Sequence, residues 1–370
     1  MTDGNVLTAG SETVTMVDAL REMSAKTKPL GALGHLEIVG ARLAVLQQSL
    51  KPRIEKARVC VFGADHGVSD EGVSAYPRAV TAEMMKNFSR GGAAINAIAR
   101  SANVEVEVIN VGVDADLTEL AHVREALVRR GTRNLAMEPA MTSDELDAAV
   151  AVGASAARRA RSNAVAVLGL GEMGIGNTTS ASALLCALEG ASPERAVGRG
   201  TGVDDDRFAR KRDVVNRAVS LHCSSSPLEA RQALRRLGGL EIAAMTGAAL
   251  EGSRLGLAIV ADGFISSTAV LAALHLARQQ SADDQRMLAR SLFFAHRSAE
   301  LGHRLVLEHC GTFDGVDATP LLDLGMRLGE GSGAALAIPL LRAAAAIMRD
   351  MATFESARVS AGEHATRHGL

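Results

Sequence analysis

Residues 327–333 read Arg-Leu-Gly-Glu-Gly-Ser-Gly, and an apolar run, 334–338, follows. One carboxylate, Glu330, stands among Gly329, Gly331 and Gly333, beside a segment that should be buried. Glycine permits tight turns and the close approach of a ligand to the backbone. A carboxylate held against apolar surroundings has a raised pKa, which suits a general base working near neutral pH. The same residues also describe a loop between helices carrying a solvated glutamate. Taken alone, the motif leaves base and bystander open.

Polar residues recur wherever a short apolar run ends. Asp65-His66-Gly67 follows 59–62, Gly112-Val113-Asp114 follows 104–109, and Gly169 to Gly174, with Glu172 among them, follows 164–168. Asp262-Gly263 follows 257–261, and His296 follows 292–295. In open parallel sheets ligands bind outside the carboxyl ends of the strands. Five polar ends, most with a glycine alongside, predict one shared rim rather than five independent caps.

Two glycine-rich stretches could hold an anion. Gly169-x-Gly171-x-x-Gly174 fits a dinucleotide fingerprint, but the acidic residue that should end a second strand about 20 residues on is missing. Glu189 and Glu194 lie in a turn instead, so NAD is not expected. Gly174, Ile175, Gly176, Asn177, Thr178 and Thr179 lead into a helix at 180–188, where free amides and hydroxyls attract phosphate. Simple N-capping by Asn177 or Thr178 explains the same residues equally well. Gly198-Arg199-Gly200-Thr201-Gly202 is a second anion candidate, or a surface turn, with Lys211 in the helix that follows. Asp204, Asp205 and Asp206 lack the apolar strand that a diphosphate–Mg site requires and read as a solvated helix N-terminus. His66, His296 and His303, with Asp65 and Asp262, do not have the spacing of a zinc motif. They are expected to be hydrogen-bonded histidines, with no metal.

These residues need elements to place them. The short apolar runs read as buried strands and the longer segments between them as helices. Thr142 to Glu145 forms a capping box ahead of an Ala-rich helix. Pro77 suits the turn that opens a helix at 80–99. Such alternation predicts an α/β fold, a mainly parallel sheet with helices on both faces. The chain ends show no strand pattern. Residues 1–50 and 340–370 are therefore expected to form a small helical domain, with 51–339 as the large nucleotide- and base-binding domain.

Composition narrows the function classes. A net charge of −2, no Trp and one Tyr argue against a nucleic-acid-binding surface. The apolar run 334–348 is broken by Pro339 and Arg342 and is too short to span a bilayer. The first 16 residues lack the basic and apolar regions of a signal peptide. Cys60, Cys186, Cys223 and Cys310 show neither CxxC spacing nor a disulfide framework. A cytoplasmic enzyme is expected.

Several blocks together resemble one family. They are PLGALGHLE at 29–37, ADHGVSDEGV at 64–73, YPRAVT at 76–81 and GEMGIGNTT at 171–179, then GGLEIAAMTG at 238–247, ADGFI at 261–265 and MRLGEGSGA at 326–334. In their order and extent they resemble the nicotinate-nucleotide–dimethylbenzimidazole phosphoribosyltransferases of cobalamin lower-ligand synthesis. The resemblance implies a Rossmann-like large domain, a small helical domain from both termini, a homodimer and no cofactor. It implies nicotinate mononucleotide and 5,6-dimethylbenzimidazole as substrates, with α-ribazole 5′-phosphate and nicotinate as products. It puts the general base at Glu330 and further active-site positions at Glu172 and Lys211. Gly174, Gly176, Asn177 and Thr178, with Gly200, Thr201 and Gly202, would surround the nucleotide, and Asp262 and Leu328 would lie with them. Tyr76, Pro77 and Met84 fall where the aromatic base is held. Some members have polar or amide-bearing residues at positions 76 and 84, so a different preferred base stays open here.

Overall fold

The computed structural model describes residues 13–199, 204–223 and 227–360. They divide into two compact units, 13–53 with 341–360 and 54–340. In the smaller unit, helices Met16–Ser24 and His35–Leu46 bury Ala19, Met23, Ala41 and Ala44 against Met348. Thr15 opens the first of these helices with a reciprocal capping box to Asp18.

The larger unit is built on seven parallel strands. In chain order they are β1 (Lys56–Ala64), β2 (Glu105–Gly112), β3 (Val123–Glu125), β4 (Val165–Met173), β5 (Ala258–Ala261), β6 (Leu292–His296) and β7 (Pro320–Leu322). Their order across the sheet is β3-β2-β1-β4-β5-β6-β7. The five longer strands are the five that the apolar runs predict. The three-residue edge strands β3 and β7 escape that reading, because Val123-Arg124-Glu125 has no apolar run and Pro320-Leu321-Leu322, only half-buried, is shorter than the runs that mark the others. β4, β5 and β6 are almost wholly buried, as expected where helices cover both faces. From β1 the chain winds to β2 in one direction, and from β4 to β5 and β6 in the other. Right-handed crossovers then put the connecting helices on opposite faces and leave a crevice between the carboxyl ends of β1 and β4.

The covering helices follow from local sequence. Thr142 and Glu145 cap each other's backbone at the start of Ser143–Ser162, as the capping-box motif predicts. That helix lies close against Leu240–Arg254: its Gly153 faces the carbonyl of Ala244, and Gly247 of the second helix faces that of Val150. Asp204 accepts from the Arg207 amide and caps Asp205–His222, so the aspartate triplet is the exposed helix start expected of it.

Three expectations need correction. The helix expected at 80–99 is two helices, Val80–Arg90 and Ala94–Ala102, because Gly91 turns left-handed at φ +76° and ends the first. β4 runs on to Met173, so Gly169 and Gly171 lie inside the strand rather than in a turn after it. Glycine within a strand marks a close approach of other backbone. At Gly171 a Cβ would lie 2.7 Å from the carbonyl oxygen of Glu330, and at Gly169 3.1 Å from the Ala334 Cβ. The third concerns the apolar segment after residue 331. It is a 19-residue helix, Ser332–Asp350, long and apolar enough by length and composition to cross a membrane, whereas the sequence run reads as too short. Ala334, Ala335, Ala337, Ile338, Leu341, Ala344, Ala345 and Met348 are buried in the protein, as in a core helix.

Candidate active site

A cavity of about 430 Å³ opens at the carboxyl ends of β4, β5 and β6, a size typical of small-molecule sites. β4 contributes Glu172 and the turn Gly174-Ile175-Gly176, β5 leads into Asp262, and β6 ends on His296. The segment 327–330 closes one side with Leu328 and Glu330, and Val73, Tyr76, Val80 and Met84 form an apolar arm. Tyr76 and Leu328 are about half exposed, at 50% and 47%, while Glu330 is only 5% exposed. The mouth is therefore apolar and accessible, and the acid lies inside.

Glu330 has an unusual backbone. Gly329, Glu330 and Gly331 are all left-handed, at φ +84°, +64° and +81°. Only the glycines adopt this conformation freely, so the Glu330 backbone is held there by its surroundings. The Glu330 amide donates to the carbonyl of Glu172 at 3.3 Å. Its Oε2 accepts from the Ile95 amide at 3.1 Å, near the start of the helix Ala94–Ala102. Burial raises the carboxyl above its ordinary value, the Ile95 hydrogen bond works against that, and the charge of Asp262 adds to it.

Three further acids lie close by. Glu172, accepting from the Asn177 side chain, is pushed well up by burial and by the negative charges of Glu241, Asp262 and Glu330. Asp262 is raised by burial, against the pull of His296 and of the backbone amides of Ala334, Gly333 and Gly331. Glu241 is fully buried and bonded through Oε1 to His66 Nε2 at 2.7 Å. Burial favours the protonated forms of Glu172, Asp262 and Glu330, which suits them to accepting and sharing a proton.

Another part of the cavity lining suits an anion. Gly176, at φ +100°, is the N-cap of the helix Asn177–Glu189, and neither Asn177 nor Thr178 caps it. Asn177 turns to Glu172 instead, and the Thr178 hydroxyl accepts from Lys211 Nζ at 2.9 Å. The helix start and a buried ammonium thus converge, an arrangement that attracts phosphate. Lys211 is 1% exposed, and burial lowers it to about 8, against the raising influence of Glu300.

The cavity brings together most of the expected residues: Tyr76, Met84, Glu172, Gly174, Gly176, Asn177, Thr178, Lys211, Asp262, Leu328 and Glu330. Pro77 does not line it; its carbonyl accepts from the Val80 amide in the turn before Val80–Arg90. Gly200, Thr201 and Gly202 lie outside the described residues. The expected five-strand rim shrinks to three strand ends. Asp65 and Gly112 are covered instead by the chain at 131–132, whose amides donate to both carbonyls at 2.9 Å, and the Asp114 amide donates to Asp65 Oδ2.

Of the three histidines, His66 pairs with Glu241, and His303 joins the Ser267 hydroxyl and the Ser298 amide, as hydrogen-bonding residues should. His296 instead lines the cavity, and neither ring nitrogen has a hydrogen-bond partner among the described residues. Sequence reasoning missed Glu241, Ser298, Glu300 and the Ile95 amide. Glu241 was in view within the GGLEIAAMTG block, but no spacing ties it to His66, 175 residues away.

A parallel sheet with an acid-lined cavity at the carboxyl ends of β4, β5 and β6, where a helix start meets a buried lysine, has the layout of an α/β enzyme. Comparison with known proteins narrows this. A family model described as phosphoribosyltransferase matches residues 10–359. Proteins named nicotinate-nucleotide–dimethylbenzimidazole phosphoribosyltransferase are similar at 46% identity in Xanthomonas axonopodis pv. citri, covering 92% of this chain and 94% of that one. The protein of that name from Chromobacterium violaceum is 48% identical, covering 90% and 92% respectively. A crystal structure of CobT from Thermus thermophilus superposes with a TM-score of 0.87 at 46% identity, covering 94% of this chain and 99% of that one. The chain belongs to the nicotinate-nucleotide–dimethylbenzimidazole phosphoribosyltransferase family and is a pentosyltransferase.

Proposed function

We propose that this enzyme transfers the phosphoribosyl group of nicotinate mononucleotide to 5,6-dimethylbenzimidazole, with Glu330 as general base. The products are α-ribazole 5′-phosphate and nicotinate, for the nucleotide loop of cobalamin. The observation that carries this reading is a buried carboxylate, Glu330, in the same cavity as the Lys211–Thr178 anion site.

The reaction's charge balance asks for one base. As the bond from the anomeric carbon to the pyridinium nitrogen breaks, its electron pair returns to that nitrogen and nicotinate leaves without needing a proton. The incoming benzimidazole forms the new bond with its lone-pair nitrogen and becomes cationic. Its other ring nitrogen then gives up its proton to Glu330. A carboxylate near this ring also stabilises the positive charge as it develops.

The other residues bind and orient. Lys211, Thr178 and the turn at Gly174 and Gly176 receive the 5′-phosphate, which serves only as a handle, with Gly200, Thr201 and Gly202 assigned to the same nucleotide. Tyr76, Met84 and Leu328 hold the aromatic base, with Pro77 shaping the turn beneath Tyr76. Glu172 and Asn177 form a polar wall between the two substrates. Fixing both reactants supplies much of the remaining acceleration. A homodimer in the cytoplasm completes the reading, by family.

Incubation with nicotinate mononucleotide and dimethylbenzimidazole, followed by chromatography for α-ribazole phosphate, tests it. Folded protein that yields no such product from this or any related base overturns the assignment.

A further inference from the structure

Glu330 occupies a left-handed turn that its residue type disfavours, and something must hold it there. Internal bonds help: the Ser332 amide donates to the Gly329 carbonyl and the Ala335 amide to the Gly331 carbonyl, both at 3.0 Å. They tie the turn to its own helix but not to the sheet. Two links reach the sheet: the Glu330 amide's bond to the Glu172 carbonyl on β4, and Asp262, just past the end of β5 and 4% exposed.

Its Oδ1 accepts from the Ala334 amide at 2.9 Å, and its carboxylate also draws the amides of Gly331 and Gly333. These amides open the helix Ser332–Asp350, directly after Glu330. An anion is favoured at that helix end. The fit is close, because a Cβ at Gly333 would lie 2.7 Å from the same Oδ1. His296 Nδ1 stands 3.9 Å from the same Oδ1, and its ring also lies against Gly333. The carboxylate is thus turned toward the protein, and the four-residue strand behind it is wholly buried.

We infer that Asp262 is a positioning residue, whose carboxylate, bound to the amides that follow Glu330, fixes the left-handed turn and aims the base into the cavity. This rests on the proposed role of Glu330 as base. It also moves Asp262 from contact with substrate to an action exerted through another side chain.

The test is a double-mutant cycle in the full-length enzyme. Asp262→Ala and Asp262→Asn are each made alone and together with Glu330→Gln, and kcat and both KM values are measured. Asp262→Ala is expected to lower kcat by about 30- to 100-fold, with each KM within about threefold of wild type. Asp262→Asn keeps an acceptor oxygen and should recover at least about a tenth of wild-type kcat. On the Glu330→Gln background either change should alter residual turnover less than about threefold, since the base being positioned is already gone. Losses that multiply across the cycle, or a nucleotide KM that rises while kcat holds, overturn the inference and make Asp262 a substrate contact. A crystal structure of Asp262→Ala, or of Asp262→Asn if the alanine variant does not fold, gives a readout apart from activity. Movement of the Glu330 turn supports the inference and an unmoved turn refutes it. Absence of transfer by wild-type enzyme would instead strike the proposed reaction, leaving the crystal structure to judge the turn.

Discussion

The backbone amide of Ile95 donates to Oε2 of Glu330 at 3.1 Å, joining two residues 235 apart in the chain. The bond exists because Gly91 ends one helix and lets a second begin at Ala94, whose first amides are free to point at the acid. It orients the carboxylate and favours its charged form, against burial and the neighbouring Asp262. The net effect is a base with a pKa above the ordinary 4.5 that is nonetheless fixed in place.

Replacing this base should abolish most of the turnover. Glu330→Gln keeps the shape and the Ile95 hydrogen bond but cannot take a proton. We expect kcat to fall about 10²- to 10⁴-fold, the usual contribution of general-base catalysis. Nucleotide binding measured by calorimetry should persist. Turnover within threefold of wild type would place the base elsewhere.

Activity and stability should respond to acid in opposite directions. Glu330 must be ionised to act, so kcat/KM falls as pH drops through its raised pKa, and this acid limb should vanish in Glu330→Gln. Glu330, Glu172 and Asp262 all have folded-state values raised mainly by burial. Groups of this kind stabilise the fold fully below their unfolded pKa, and that stability is lost as pH rises through the folded value. Glu172→Gln removes one such ionisation. Its melting temperature relative to wild type should therefore improve as pH rises out of the acid range. A difference that stays constant or reverses would contradict the assigned direction.

Lys211 predicts a second, alkaline limb. Burial lowers its pKa to about 8, and its proton is needed to meet a phosphate. Free enzyme should lose kcat/KM for the nucleotide above about pH 8. kcat should change less there, because bound phosphate holds the proton on. Lys211→Met should raise the nucleotide KM by about 10- to 100-fold, as expected for a lost charge-assisted contact, and erase the limb. An alkaline limb that survives the substitution assigns it to another group.

Two glycines separate site from scaffold. In Gly171→Ala the new methyl would lie 2.7 Å from the Glu330 carbonyl oxygen, so the turn must shift. We expect kcat to drop about tenfold or more, since small misplacements of a reacting group are costly. Gly153→Ala would drive a methyl into the Ala244 carbonyl, between two helices far from Glu330 in the chain. It should lower stability by about 1–3 kcal/mol, the usual range of overpacked cores, with kcat per folded molecule unchanged. Chemical denaturation and steady-state kinetics on both variants distinguish the two effects.

Much of this was legible beforehand. The five longer strands announced themselves because buried parallel strands are short continuous apolar runs, and the Thr142–Glu145 capping box because its signal lies within four residues. Glu172, Asp262 and His296 were visible as polar strand ends. Asp65 and His66 looked identical in sequence but are covered by chain or paired inside, and Asp114 stays exposed outside the cavity beside Arg78. What covers a strand end comes from distant segments, which no local pattern reports.

The same division runs through the catalytic turn itself. By itself the sequence determined that residues 329–331 would turn sharply, that a carboxylate would sit at the centre, and that a buried helix would follow. Those properties reside in single residues and their neighbours. Tertiary structure alone decided that Ile95 would grip the carboxylate, that Asp262 would face the amides after it, and that Gly171 would let the turn lie against β4. A glycine inside a strand and an aspartate after one acquire meaning only from what is packed against them. Packing brings together residues that share no local pattern, and here it decides whether Glu330 is a loop acid or a base.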